Sequence, residues 1–170
     1  MTQPYFLLNP EVSVESKAKL FKIIPIPQFV VNRPFIIRYR FQNASKIRFP
    51  GGPIQLRIKW YGGAEEYVCA TLPVLTPRQW SQQSEKELNA HAVGMGIVYY
   101  YSSPSANGRA VKLLVNGIEK GVQDEDRTIY GIPTTTMEEI YAMVGLWVVA
   151  IGLVYPLFKD LLPVLIKLIN

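Results

Sequence analysis

From Ile140 to Phe158 the chain reads IYAMVGLWVVAIGLVYPLF, 19 residues without a charge. Wound as a helix, such a run extends about 28 Å, close to the roughly 30 Å hydrocarbon core of a bilayer. Tyr141 lies near one end and Tyr155 with Phe158 near the other, where interfacial aromatics belong. Lys159 and Lys167 follow and can snorkel to headgroups. A buried core helix is the competing reading, but five wholly apolar turns are rare in a chain of 170 residues. We read a transmembrane helix over 137–158.

The start of this helix is legible. Thr134-Thr135-Thr136 precede Met137-Glu138-Glu139, so Thr135 with Glu138, or Thr136 with Glu139, fits a capping box. Pro133 should end whatever precedes, which makes 133–136 a linker. Pro156 should kink the helix near its far end, and Pro163 should interrupt the tail again. The tail, 159–170, is too short to cross and reads as an interfacial or partner-bound helix. Ala142, Gly145, Val149, Gly152 and Pro156 line one stripe at spacings of 3 and 4. Such a stripe lets a second backbone approach closely, and we expect it to be a helix-partner interface. The alternative is the ordinary frequency of Gly and Ala in membrane helices.

The topology signals conflict. The first 25 residues show no basic n-region and no long apolar stretch, so no secretory signal is expected there. An insertion signal that emerges last resembles a tail anchor, with the domain left in the cytosol, and the lone Cys69 suits a reducing compartment. Yet basic residues follow the span and Glu138 and Glu139 precede it, a bias that would put the domain outside. Asn43-Ala44-Ser45 is also a glycosylation sequon. The cytosolic placement is our expectation, with the external one kept open.

Removing Lys159, Asp160 and Lys167 from totals of 18 basic and 13 acidic residues leaves 16 and 12 over residues 1–139, a net charge of +4. That segment has ordinary polarity and reads as all-β. Phe35, Ile37, Tyr39 and Phe41 alternate with Ile36, Arg38, Arg40 and Gln42. Ile54, Leu56, Ile58 and Trp60 alternate with Gln55, Arg57 and Lys59. This is the period of strands with one wet face. Tyr67 to Leu72 and Ala92 to Tyr101 are further apolar runs, and Val12 to Ile24 supplies one or two strands before Pro25 and Pro27. Val111 to Val115, Asn116-Gly117 and Ile118 to Val122 form a hairpin signature, because Asn-Gly supplies the positive φ angles of a type I′ turn. Arg127 to Tyr130 could add a last short strand. Turn signals sit at Asn43-Ala44-Ser45, Pro50 to Pro53, Gly62-Gly63 and Ser102 to Gly108. Residues 76–90 read as a short helical turn or a loop. Seven or eight strands over residues 1–132 make an immunoglobulin-like antiparallel β-sandwich the expected fold.

The runs PFIIRYRFQNAS, PIQLRIKW and YVCATLPVLTP, with the hairpin KLLVNG, resemble sandwich domains of the CARDB type over about residues 30–122. That resemblance implies adhesion or scaffolding and transfers no catalytic residue. A sandwich followed by a C-terminal anchor is also similar in layout to the VAMP-associated proteins, which tether peptide ligands at a membrane.

Catalytic constellations are sparse. His91 enters a strand in Asn89-Ala90-His91-Ala92 and reads as a surface or capping residue. One His and one Cys cannot build a cupredoxin copper site, which needs two His, Cys and usually Met. Asp124-Glu125-Asp126 could hold calcium but lacks the remaining ligands of a known loop, and no glycine pattern cradles a phosphate. We expect no catalytic residue, no metal, no cofactor and no enzyme. The remaining feature is basic: Arg38 and Arg40 share one wet strand face, and Arg57 and Lys59 another. If the strands pair, these form a patch for anionic headgroups or an acidic protein; if the connection crosses between sheets, the patch divides. Nucleic acid has no supporting motif. Two functions follow: a non-catalytic single-pass accessory subunit of a membrane complex, or a free-standing anchored recognition module.

Overall fold

The period-two runs become the walls of two sheets. In this computed structural model, which describes residues 5–102, 109–121 and 128–169, the strands are β1 (Tyr5–Ser16), β2 (Lys19–Leu20), β3 (Ile24–Pro25), β4 (Phe29–Val30), β5 (Pro34–Asn43) and β6 (Gly52–Trp60). They continue with β7 (Glu65–Leu72), β8 (Ser84–Asn89), β9 (Gly94–Ser102), β10 (Ala110–Val115), β11 (Ile118–Lys120) and β12 (Thr128–Thr135). One five-stranded sheet has the order β11-β10-β1-β5-β8 and the other β4-β12-β9-β6-β7, while β2 and β3 form a small ribbon. The chain passes between sheets from β1 through the β2–β3 ribbon to β4, and again after β4, β5, β7, β8, β9 and β11. This is a β-sandwich.

Alternation explains the core. Along β5 every second residue from Phe35 to Asn43 is buried, and along β6 the same holds for Ile54, Leu56, Ile58 and Trp60. These inner faces join residues of β1, β7, β10 and β12 in one hydrophobic cluster. Trp60 meets Phe35 edge to face at 5.8 Å. Gly96 makes room for that indole, since a Cβ there would lie 2.4 Å from a Trp60 ring carbon. At the opposite end the buried Asn43 amide donates to the carbonyls of Ile47 and Leu75, at 2.9 and 3.0 Å, and accepts from the Ser45 N–H at 3.0 Å. The buried Ser45 hydroxyl accepts from the Leu7 N–H at 2.6 Å. The expected turn is therefore a fully bonded corner. Its sequon asparagine is inaccessible in the folded domain.

Several elements differ from expectation. β1 starts at Tyr5, well before Val12, pairs antiparallel with β5, and pairs in parallel with β10 over Tyr5–Leu8. Residues 84–89, read as loop, form β8 on the edge beside β5. SEKELN buries only Leu88, so it carries no alternation to read, and its charges suit an edge that should not recruit another strand. β12 runs through Pro133 to Thr135, into the expected linker. Its neighbour on the side away from β9 is β4, only two residues long. Ser103 to Gly108 and Asp124-Glu125-Asp126 lie outside the described residues.

The chain divides into two compact units, 1–134 and 135–170. The second is one helix, α1 (Met137–Ile169). Thr136 and Glu139 form its capping box: the Glu139 N–H donates to the Thr136 hydroxyl and the Thr136 N–H to the Glu139 carboxylate, both at 3.1 Å. The Thr135 hydroxyl also donates to that carboxylate. α1 continues through Pro156 and Pro163, so the backbone marks no break between the expected span and the expected tail helix.

Candidate functional site

The four basic residues do not form one patch. Arg38 and Arg40 lie on β5 in one sheet, Arg57 and Lys59 on β6 in the other, because the chain after the Asn43 corner crosses the sandwich. Three of these cations also meet carboxylates of this chain. Arg40 forks onto Glu11 of β1, with Nε and Nη2 at 3.0 and 2.9 Å from its two oxygens, and its guanidinium stands 4.6 Å over the Trp80 ring. Arg38 reaches Glu15 at 2.6 Å and Glu85 at 3.2 Å, and Arg57 reaches Glu65 at 3.1 Å. Exposed Lys59 is in register with Glu65. Opposite charges across strands support the sheet. The hydrogen bond from Arg38, aided by Lys17, holds the Glu15 carboxyl below its usual range, and Arg38 is correspondingly raised. The expectation of a common basic face is thereby corrected.

His91 has a partner that the sequence did not point to. Its Nε2 lies 2.9 Å from Glu66 Oε1, and its ring stands edge-on to Trp60 at 6.0 Å. Glu66 shares the parity of the inward-facing Val68 and Leu72. Its second oxygen and Trp60 Nε1 are buried without a partner among the described residues. His91 thus satisfies one carboxylate oxygen at the margin of the core.

A concavity of about 630 Å³ opens on one side of the sandwich. Its floor is Tyr39 and Phe41 of β5, and its walls are the end of β7 with Pro73 to Leu75 and the segment Gln79 to Ser84. Burial pushes the Tyr39 phenol above its ordinary value, with the Ser84 hydroxyl opposing. Beside the cleft, Lys86 Nζ of β8 donates to the Tyr67 carbonyl of β7 at 2.9 Å, clasping the edges of the two sheets. The lining is mostly apolar, with a few hydroxyl and amide groups and no charged side chain. Such a surface suits an apolar or uncharged segment, not an anion.

Neither a protein-family model nor a curated protein matches the sequence. The chain is similar to a CARDB domain of known structure. That domain comes from a Pyrococcus furiosus protein crystallised in complex with di-metal ions. The likeness covers 80% of this chain and 99% of that one, at 12% identity and a TM-score of 0.44. The metal ions belong to that protein. Among the described residues of this chain, no three of His, Cys, Asp and Glu come together as a candidate metal site.

The second unit presents a different surface. Over Met137–Pro156, α1 is long and apolar enough to cross a membrane, and 6% of that window is buried. Leu146 and Trp147 are each 70% exposed, and Val148, Val149, Ile151 and Leu153 are comparably open. That exposure removes the reading of a buried core helix. On the small-residue stripe, an added Cβ at Gly145 or Gly152 would meet nothing within 4 Å.

Proposed function

We propose that this chain is a non-catalytic, single-pass membrane protein, an accessory subunit whose helix and β-sandwich dock onto a larger membrane complex. One observation carries the reading: a largely exposed apolar surface along α1 over Met137–Pro156, which water does not tolerate and a bilayer does. The Ala142, Gly145, Val149, Gly152 and Pro156 stripe supports a helix partner. Native mass measurement after mild detergent extraction tests the subunit role. Co-purification at fixed stoichiometry supports it, and a monomer in every mild detergent contradicts it.

The cleft at Tyr39, Phe41 and Trp80 supports a second reading, an anchored module that recognises an uncharged peptide segment. Under that reading, Trp80→Ala abolishes ligand capture without changing membrane association. Protease protection in sealed vesicles tests the cytosolic placement of the sandwich, and a fully shielded domain would contradict it.

A further inference from the structure

One end of the sandwich is conspicuously apolar. Ser16 ends β1 there, the Lys17 N–H donates to the Pro34 carbonyl at the start of β5 at 3.0 Å, and the β2–β3 ribbon leaves between Ala18 and Ile26. Its stem residues Ala18, Leu20 and Ile26 are buried. Its tip is open: Phe21 is 62%, Ile23 78% and Ile24 54% exposed. The same end carries the exposed Tyr61 at the β6–β7 turn, whose N–H donates to the Met95 carbonyl, and the exposed Val93 and Met95 beside it. Thr134, the last residue of the sandwich unit, pairs with Gly94 and donates through its hydroxyl to the Ala92 carbonyl. The last strand of the sandwich unit thus ends here.

The ribbon's turn is strained. The Ile23 N–H closes it onto the Leu20 carbonyl at 3.1 Å, and both central residues, Phe21 and Lys22, have positive φ, at 51° and 64°. Glycine or asparagine would adopt this turn with far less strain. Strain kept at an exposed tip in order to present Phe and Lys points to a use for those side chains. Lys19 and Lys22 are exposed beside the apolar tip. The acidic residues after Tyr61 are engaged, Glu65 with Arg57 and Glu66 with His91. An apolar tip flanked by cations is complementary to an anionic lipid interface.

We infer that the β2–β3 ribbon is a second membrane contact, placing Phe21, Ile23 and Ile24 at the headgroup–acyl boundary and Lys19 and Lys22 among anionic headgroups. The inference rests on the membrane-anchored reading above and names a bilayer contact within the sandwich.

The test uses the full chain in bilayer discs of mixed phosphatidylcholine and phosphatidylserine. A fluorophore is placed at Ile23→Cys, at Leu153→Cys, or at Gln82→Cys as an aqueous control, each in a Cys69→Ser background. Quenching by nitroxide-bearing lipids is compared with quenching by iodide. The inference predicts that the label at 23 is quenched by shallow lipid nitroxides and shielded from iodide, and that the label at 82 behaves oppositely. Lys19→Glu with Lys22→Glu should weaken lipid quenching at 23 by about five-fold or more per site in anionic discs, and much less in pure phosphatidylcholine. Iodide access at 23 equal to that at 82 overturns the inference, as does shielding from both quenchers, which would mean a second copy covers the ribbon. If 153 is lipid-quenched while 23 is not, the ribbon contact fails and the anchor stands. If 153 is open to iodide, the anchored reading fails and takes the ribbon contact with it.

Discussion

Gly96 and Trp60 show how tightly single residues are constrained. A methyl at Gly96 would lie well inside the van der Waals radius of the indole, and Trp60 is 1% exposed with no room to retreat. Gly96→Ala should cost about 1–3 kcal/mol as overpacking, read as a lower midpoint in chemical unfolding of the sandwich; an unchanged midpoint would contradict this packing. Asn43→Ala should cost a similar amount, about 1–3 kcal/mol, because it removes the side-chain partner of the Ile47 carbonyl and the Ser45 N–H at a buried corner and leaves the Leu75 carbonyl with the Phe49 N–H alone. Glu15 provides a pH signature. Its folded-state carboxyl is lowered by Arg38 and Lys17, so its contribution to stability is present above the unfolded pKa and lost as pH falls through the lower folded value. Titration of the Glu15 side chain by NMR should give a midpoint below the usual carboxylate range, and Arg38→Ala should move it up. A midpoint unaffected by Arg38→Ala would sink the assignment of that pair.

At the scale of elements, what was legible depended on alternation. β5, β6, β7 and β10 show in the sequence because each buries one face and wets the other, and β11 shows because Asn116-Gly117 turns the chain back onto β10. β8 is polar throughout except at Leu88, and the ribbon at 19–25 ends in prolines that read as breaks, so neither has a periodic signature. The basic patch failed for a related reason. Adjacent strands in sequence need not be adjacent in a sheet, and alternation alone does not say that the chain crosses the sandwich between Asn43 and Gly52. The Glu66–His91 pair was equally hidden, since 25 positions separate its members. The capping box and the apolar span were legible because both are local. For α1, Gly145→Leu with Gly152→Leu should weaken association in native mass measurement if the stripe is an interface, while leaving membrane insertion intact. Unchanged assembly would remove the stripe from the account.

For the whole molecule, the proposed function assigns binding to the sandwich and placement to the helix. The buried apolar residues of the sandwich join in one cluster, whereas only 6% of the apolar window of α1 over Met137–Pro156 is buried among the described residues. A bilayer resolves that asymmetry, and the measurement that tests it most directly is alkaline carbonate extraction of membranes containing the full chain. The chain should remain with the lipid pellet, and Val148→Arg with Ile151→Arg should release it, since each charge near mid-span costs about 2.5–3.5 kcal/mol. Recovery of the unaltered chain in the soluble fraction would contradict the account.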